Sequence, residues 1–426
     1  MQRRPFRIIN SNCSTAKGIA LRIAYIARSF LDYRVPVFAA LDELTDSGLH
    51  VVYSKEVTPE RVSGKIEQLL GARGIGLDGE RRIGPKIISS SANSSMRIVY
   101  QPGLFRTIGS ISPDVIVADG FFQWSSFGFA RRFFNGTPLV ICYERTFHTE
   151  RRAQWFRTAY RKKVLRWVDA MACNGSLCQA YVQWLGMPSG RITLGHMVAD
   201  THGLQRAVQA VLPVKSRELR RNWNDTEIVY LSVGRLIRLK GWRELLQGWQ
   251  LFEKKWNRRA SLVIVGDGPE RENLSNLVRS AGLRSVFLEG AVDYDEIAPY
   301  YRAADVFIIP TLEDNWSLVV PEAMACGLPI LCSKYNGCWP ELVQEKNGWI
   351  FDPLDPKDTF RVLDSCLQKA SNLPAMGRRS SEIVAGHTPL RAAKSIYEAC
   401  LIAVRRVSGN SLHSRIAPPK GHEEIF

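Results

Sequence analysis

Residues 311–330, TLEDNWSLVVPEAMACGLPI, carry two carboxylates, Asp314 and Glu322, separated by seven residues. Asp314 follows the apolar run 305–310, which predicts a buried strand. Glu322 opens a small-residue segment that predicts a helix ended by Gly327. One carboxylate is therefore expected in a loop at the carboxyl end of a strand and the other on the next helix, where ligands bind in an open α/β sheet. Backbone N–H groups at such a helix start suit a phosphate, and the carboxylates can accept hydrogen bonds from sugar or ribose hydroxyls.

The sequence around this stretch alternates between strand and helix patterns through the second half of the chain. Strands are predicted at 227–233, 261–265, 286–289, 305–309 and 329–332. Helices are predicted near 241–254, 270–281 and 294–303. The alternation predicts a doubly wound sheet.

The first half of the chain predicts a second α/β domain. Its apolar runs have the length and continuous apolarity of parallel strands buried on both faces, and they lie at 21–27, 49–53, 114–118, 138–142 and 170–173. The stretch 54–95 is poorly patterned and predicts a loop-rich insert. The predicted organisation is an extension at 1–19, a first domain at 20–205, a linker at 206–225, a second domain at 226–388, a terminal helix at 389–406 and a flexible tail at 407–426. The basic extension also fits an organellar transit segment.

The composition is that of a globular protein. The 426 residues are 45% hydrophobic and 23% charged, and no apolar run reaches the roughly 20 residues that span a bilayer. The nine cysteines include no CxxC pair, which argues against a disulfide framework or a zinc site and favours a reducing compartment.

The net charge of +16 implies an acidic partner. It is concentrated between Phe121 and Ala170, where ten lysines and arginines face three acidic residues and alternate with many aromatic residues. This pattern fits an anionic membrane surface or a solvated basic face with a buried aromatic core. RNA is less favoured, because no RNA-recognition motif accompanies the charge.

Two glycine-containing turns follow predicted strands of the second half. In the first, Gly234 and Arg235 end a strand and Lys240 precedes the next helix. Two cations at a helix start suit a pyrophosphate, although surface cations on a loop explain the same pattern. In the second turn, Gly266 and Gly268 either permit close approach of a ligand or only form a tight turn. Neither turn contains the GxGxxG or P-loop motif, so a dinucleotide dehydrogenase and a P-loop NTPase are not supported.

In chain order, VGRLIRLKG, LVIVGDGPERENL, EAMACGLPI, NGCWPE and KNG resemble the motifs of the retaining nucleotide-sugar glycosyltransferases of family four. The resemblance is specific over 227–355 and weaker over 21–205. It implies two Rossmann-like doubly wound domains facing across a cleft, the glycosyltransferase B-type architecture, with a C-terminal helix crossing back to the first domain.

The resemblance also implies roles for matching positions. Arg235 and Lys240 would bind the donor diphosphate and stabilise the leaving group, Glu322 would hold the ribose, and Asp314 would contact the transferred sugar. The family usually has Glu at the position of Asp314, so the sugar pocket is expected to differ or the enzyme to be weakened. The other expected donor-binding residues are Gly234, Gly266, Gly268, Asn315, Trp316, Ser317 and Leu318.

On the acceptor side, the resemblance favours His148, which follows the strand predicted at 138–142. An imidazole there can hydrogen-bond a sugar hydroxyl or position the acceptor, although a lone loop histidine is often structural. Asp200 is expected to have a structural role.

The function implied is a metal-independent retaining glycosyltransferase that needs no cofactor. Its expected partners are a nucleotide-sugar donor and a glycan or lipid-linked acceptor in polysaccharide, lipopolysaccharide or glycolipid biosynthesis. The expected location is the cytoplasm, at the inner face of an anionic membrane. Two alternatives remain, a sugar-nucleotide-binding pseudoenzyme or partner subunit, suggested by Asp314, and a sugar-nucleotide epimerase of similar fold.

Overall fold

The computed structural model describes residues 21–83 and 98–409. The predicted extension at 1–19, residues 84–95 of the predicted insert and residues 410–426 of the predicted tail lie outside the described residues. Two parallel sheets organise the described chain.

The first sheet has seven parallel strands in the order β3-β2-β1-β6-β7-β8-β9. Its apolar strands are buried on both faces by helices, as the continuous hydrophobic runs predict. A separate antiparallel pair joins β4 to β5. The strands of this domain are β1 (Ile23–Ile26), β2 (Leu49–Ser54), β3 (Gly74–Leu77), β4 (Arg81–Ile83), β5 (Ile98–Tyr100), β6 (Val115–Asp119), β7 (Leu139–Tyr143), β8 (Ala170–Cys173) and β9 (Ile192–Leu194).

In the described ranges 21–83 and 98–194, six α-helices connect these strands. They are α1 (Arg34–Leu44), α2 (Glu60–Leu70), α3 (Leu104–Ile111), α4 (Ser125–Asn135), α5 (Trp155–Val164) and α6 (Ser176–Leu185). The stretch 54–95, expected to be loop-rich, instead contributes α2 and β3 to the domain. Val62, Ile66 and Leu70 recur at helical spacing and are buried in the core, a periodicity that the glycines and serines around them obscured.

The second sheet has six parallel strands in the order β12-β11-β10-β13-β14-β15. They are β10 (Ile228–Val233), β11 (Ala260–Val265), β12 (Val286–Gly290), β13 (Val306–Ile309), β14 (Ile330–Ser333) and β15 (Gly348–Phe351). The helices of the second half are α7 (Thr201–Ala210), α8 (Pro213–Asn222), α9 (Trp242–Trp256), α10 (Arg271–Ser280), α11 (Ala298–Ala303), α12 (Val319–Ala325), α13 (Trp339–Leu342), α14 (Pro356–Gln368), α15 (Leu373–Ala385) and α16 (Pro389–Ser408).

The stretch 206–225, expected to be a linker, is built into the second domain. It contains the second half of α7 and all of α8, and Val208 and Trp223 are buried in the core of that domain. Trp223 also donates a hydrogen bond from Nε1 to Glu289 Oε1 at 2.8 Å. The charged sequence of α8 hides this packing, because no residue of that helix is itself fully buried.

The last helix, α16, returns to the first domain. Its small and apolar residues, including Ala392, Ile396 and Ala403, are buried in the first domain's core beside α1. Arg406 near its end forms an ion pair with the buried Asp169. The predicted crossing-back helix is thereby confirmed, together with the two-domain α/β architecture.

The carboxyl ends of the two sheets face each other. The loop after β7 reaches the loop after β13, where His148 Nε2 lies 2.8 Å from the carbonyl oxygen of Leu312. The loops that can carry a ligand site therefore line a cleft between the domains. Within the described ranges, no helix combines the length and apolarity needed to cross a membrane.

Candidate active site

Lys240 and Asp314 meet at the carboxyl edge of the second sheet. Lys240 lies in the turn after β10 and Asp314 in the loop after β13, and these strands are neighbours. Their side chains form an ion pair, with 2.5 Å between Lys240 Nζ and Asp314 Oδ2. The structure thus joins two of the sequence-predicted site residues that lie in separate motifs.

The carboxylate of Asp314 is held by its own loop as well. The Ser317 hydroxyl donates to Oδ2, and the backbone N–H of Trp316 donates to Oδ1 at 3.2 Å. The backbone N–H of Ser317 points to Asn336 Oδ1, 3.4 Å away. These N–H groups precede α12 and were expected to hold a phosphate. In the structure, Asp314 accepts from the Trp316 N–H and Asn336 accepts from the Ser317 N–H.

Two glycines allow the loops to pack this closely. A Cβ atom on Gly241, which has φ of 73°, would lie 2.0 Å from the carbonyl oxygen of Pro310. A Cβ atom on Gly266 would lie 2.0 Å from the carbonyl oxygen of Gly234. The turns after β10, β11 and β13 therefore form one compact edge, and side chains larger than hydrogen would separate them.

Arg235 has a different environment from Lys240. Its side chain is exposed, and in the described part of the chain no carboxylate lies within ion-pairing distance of it. By contrast, Arg238 on the same turn is paired with Glu244 at 2.5 Å. Arg235 is thus an uncompensated cation near the carboxyl edge of the sheet.

Glu322 lies apart from the Lys240–Asp314 pair. It is in the first turn of α12, where the Tyr301 hydroxyl donates to its Oε2 at 3.3 Å. Burial raises the pKa of Glu322 to about 7, and the nearby Asp200 carboxylate acts in the same direction while the Tyr301 hydrogen bond opposes it. Asp200 itself accepts a hydrogen bond from the backbone N–H of Gly203 and caps α7, the structural role expected of it.

His148 reaches the second domain from the first. Its ring stacks on Tyr335 with 4.5 Å between ring centroids, and burial lowers the pKa of His148 below its usual value. A carbonyl oxygen can only accept, so the Nε2 that faces Leu312 O carries the proton, and Nδ1 of the neutral ring is left as an acceptor. This tautomer suits a group that accepts a hydrogen bond from a hydroxyl.

Further polar residues of the first domain line the cleft and were not predicted. Glu144 follows β7 and accepts a hydrogen bond from Asn315 Nδ2 at 3.3 Å. Burial raises the pKa of Glu144. Asp119 ends β6, accepts from the Tyr25 hydroxyl at 2.8 Å and lies 3.6 Å from the buried Arg34 guanidinium. Both acids end predicted strands, so the strand-end reasoning that identified Asp314 could have identified them.

Trp316, which is expected to bind the donor, contacts the first domain. Its side chain is buried, and a Cβ atom on Gly175 would lie 2.7 Å from its ring. Close by, Glu341 Oε1 accepts a hydrogen bond of 2.5 Å from the backbone N–H of Ser176. The sequence did not predict this contact. An aromatic residue next to a predicted donor-binding motif carries no pattern that indicates contact with the other domain.

The arrangement combines two cations with carboxylates and a neutral histidine around a cleft. Arg235 and Lys240 can neutralise a diphosphate, while Asp314, Glu144 and His148 can accept hydrogen bonds from sugar hydroxyls. Within the described residues, no group of three or more His, Cys, Asp or Glu side chains is arranged to hold a metal ion.

Comparison with known proteins matches the second domain to a family. Residues 216–382 match the family model described as "Glycosyl transferases group 1". An uncharacterized glycosyltransferase of Haemophilus influenzae is 34% identical over 142 residues, which cover 32% of this chain and 38% of that protein. A D-inositol 3-phosphate glycosyltransferase of Corynebacterium jeikeium is 30% identical over 197 residues, which cover 45% of this chain and 44% of that protein. The chain thus spans less than half the length of each of these relatives.

Solved structures resemble the whole fold. The crystal structure of Anabaena Alr3699/HepE in complex with UDP superposes with a TM-score of 0.67 over 89% of this chain and 99% of that chain, at 15% sequence identity. At this identity the likeness concerns the fold. The resemblance to glycosyltransferases inferred from the sequence motifs is confirmed: residues 216–382 match the glycosyl transferases group 1 model, and the chain has the two-domain B-type fold of the similar solved structure.

Proposed function

We propose that this protein is a retaining glycosyltransferase that moves a sugar from a nucleotide-diphosphate sugar to a glycan or lipid-linked acceptor. The observation that carries the proposal is the Lys240–Asp314 pair. The ammonium of Lys240 and the carboxylate of Asp314 lie 2.5 Å apart, at a carboxyl edge that faces His148 of the other domain. A donor whose diphosphate meets Lys240 would present its sugar to Asp314.

The proposed reaction breaks the bond between the anomeric carbon and the diphosphate oxygen, whose electron pair stays on the diphosphate. The transition state resembles an oxocarbenium ion. Arg235 and Lys240 would stabilise the negative charge that develops on the leaving group, without requiring a metal. The acceptor hydroxyl attacks from the face that the diphosphate leaves and gives its proton to that diphosphate, so the anomeric configuration is retained.

The remaining residues would position the substrates. Glu322 would hold the ribose hydroxyls, and the turns containing Gly234, Gly266 and Gly268 would let the nucleotide approach the backbone. His148 would accept a hydrogen bond through Nδ1 from the transferred sugar or from the acceptor. In this proposal the enzyme acts in the cytoplasm in polysaccharide, lipopolysaccharide or glycolipid biosynthesis.

The test begins with ligand-induced stabilisation. A ligand present at 100 times its Kd stabilises the folded state by about 2.7 kcal/mol, so the right nucleotide and sugar nucleotide should raise the Tm in a panel of uridine, guanosine and adenosine diphosphates and their sugars. Uridine compounds come first, because the similar Anabaena protein was crystallised with UDP and with UDP-glucose.

The reaction is then followed by NMR on the donor that binds, with a panel of glycan and lipid-linked acceptors. An enzyme of the proposed class gives a product with the donor's anomeric configuration. An inverted product contradicts retention, and an isomerised sugar nucleotide without transfer indicates an epimerase. Binding of a sugar nucleotide without turnover of any acceptor supports a pseudoenzyme.

A further inference from the structure

One side of α5 exposes two aromatic residues followed by three cations. Its exposed positions recur at helical spacing and continue into the turn after the helix, and they are Trp155, Phe156, Ala159, Lys162, Lys163 and Arg166. Trp155 is 81% exposed. The basic and aromatic residues that alternate in the sequence are thus sorted by the helix into an apolar end and a basic end.

Neighbouring elements extend this surface on both sides. At the end of α4, Phe133 and Phe134 are 63% and 74% exposed, and Phe133 packs edge-to-face on Trp167. On the other side, the half-exposed Trp184 of α6 lies under the Lys162 ammonium, 4.2 Å from its ring centroid. We call the surface formed by these exposed residues the α5 face; its members are Phe133, Phe134, Trp155, Phe156, Lys162, Lys163, Arg166 and Trp184.

The acids of the surrounding segment, residues 120–199, do not balance the charge of the α5 face. Between residues 120 and 199 the chain contains eleven lysines and arginines but only three acids, Glu144, Glu150 and Asp169. Glu150 is buried and forms an ion pair with the buried Arg161 at 2.7 Å. Asp169 is buried and forms an ion pair with Arg132. Glu144 lies in the cleft. The surface therefore presents cations and aromatic rings with no carboxylate of this segment among them.

We propose that the α5 face docks this protein on an anionic lipid bilayer. Lys162, Lys163 and Arg166 would pair with anionic headgroups, while the protruding rings of Trp155, Phe134 and their neighbours enter the boundary between headgroups and acyl chains. The charge complementarity favours a bilayer over a second copy of this chain, whose matching face would repel it. Exposed rings that contact each other in pairs, Phe133 with Phe134 and Trp155 with Phe156, also suit an apolar boundary better than a hydrogen-bonding partner.

Docking through this face would place the cleft at the bilayer surface. Phe147 packs against Trp184 of the face, 5.5 Å between ring centroids, and it directly precedes the cleft residue His148. An acceptor anchored in the same bilayer would then need to rise only a short way to reach the site. This consequence rests on the proposed transferase function, whereas docking itself does not.

The docking test uses the chain of 426 residues and vesicles without nucleotide or acceptor. Sedimentation should show binding that increases with the fraction of phosphatidylglycerol and decreases with salt, leaving a salt-resistant part due to the aromatic rings. Each cation near an anionic surface contributes roughly a factor of five, so Lys162→Gln with Lys163→Gln should weaken partitioning about 30-fold. Trp155→Ser with Phe134→Ser should remove the salt-resistant part.

The matched control is Lys215→Gln with Lys369→Gln, which removes two exposed lysines of the second domain and should leave binding unchanged. Circular dichroism verifies that every variant is folded. The docking proposal is overturned by a wild-type protein that ignores anionic vesicles at low salt, by equal losses in the control, or by a dimer in solution that the face variants abolish. Because the assay contains no substrate, a failed transferase assay leaves its result intact.

Discussion

Lys240 Nζ lies 2.5 Å from Asp314 Oδ2, although 74 residues separate the two in the chain. They meet because β13 pairs with β10 in the sheet, so that the loops after these strands start side by side. Each side chain neutralises the charge of the other. A diphosphate that binds Lys240 would compete with Asp314 and release its carboxylate toward the sugar.

Replacing either cation of the proposed diphosphate site should slow the reaction. For Arg235→Ala or Lys240→Ala we expect turnover to fall by roughly 10² or more, as when one charge-stabilising donor is lost from an active site. The control is Arg238→Ala on the same turn, whose guanidinium already pairs with Glu244 and which should stay within a few-fold of wild type. Steady-state kinetics measures these variants with the donor that raises the Tm in the ligand panel. Full activity in both Arg235→Ala and Lys240→Ala would show that the phosphates bind elsewhere.

Asp314→Asn should weaken the binding of the intact sugar nucleotide more than the binding of the bare nucleotide. It keeps the size of the side chain but removes the charge that accepts from Ser317 and pairs with Lys240. Calorimetric titration should therefore show weaker binding of the intact sugar nucleotide and little loss, or even a gain, for the bare nucleoside diphosphate, because Lys240 is freed. Equal losses for both ligands would place Asp314 outside the sugar pocket.

Glu322 should make the stability depend on pH. Its folded-state pKa of about 7 exceeds the ordinary value of 4.5, so the folded protein holds this proton more tightly than the unfolded chain. The stabilisation is complete below pH 4.5 and is lost as the pH rises to about 7. In urea titrations across this range, Glu322→Gln should show a shallower decline than wild type, and it should also bind nucleotide more weakly if Glu322 holds the ribose. An unchanged pH slope would contradict the raised pKa.

His148→Ala should reduce the rate of sugar transfer without weakening the binding of the nucleotide. The residue belongs to the first domain and contacts the second through Leu312 and Tyr335, whereas the proposed nucleotide site lies wholly in the second domain. We expect a lower kcat with an unchanged Kd for the nucleoside diphosphate. The exposed His202 supplies the control, since His202→Ala should retain wild-type kinetics. A similar loss of nucleotide affinity in His148→Ala would show that domain closure, and not substrate contact, is its contribution.

Asp169 should stabilise the first domain and the returning helix. Its carboxylate is fully buried and accepts from Arg132 Nε at 2.7 Å, from Arg406 and from the Leu139 N–H at 3.0 Å. Asp169→Ala leaves two cations and an N–H group without this partner, so the free energy of unfolding should fall by about 3 kcal/mol. Arg406→Ala should cost only about 1 kcal/mol, because Arg406 is 40% exposed and Asp169 retains Arg132. Urea unfolding monitored by circular dichroism measures the free energy of unfolding of both variants. Equal losses of stability in the two variants would contradict the larger role assigned to Asp169.

The α/β architecture could be predicted because its signals are local. Continuous apolar runs such as those that form β6 and β7 can be recognised in the sequence, since a parallel strand is buried on both faces wherever it occurs. Local patterning failed for α8, whose apolar residues are few, and for α2 within 54–95, whose helical spacing the surrounding glycines and serines obscure. There the packing partners, and not the segments themselves, determine what is buried.

The sequence by itself determined the two domains, the glycine turns, the positions of Lys240, Asp314 and His148 after strands and the position of Glu322 on a helix. Only the tertiary structure decided which of these residues meet. It pairs Lys240 with Asp314 and brings Glu144 to Asn315, but it leaves Glu322 with Tyr301. It also divides the basic aromatic segment between core and surface, burying Arg161 beside Glu150 while exposing Lys162 and Lys163. The physical reason is that strand order and helix rotation set these neighbours, and both depend on contacts between segments far apart in the chain.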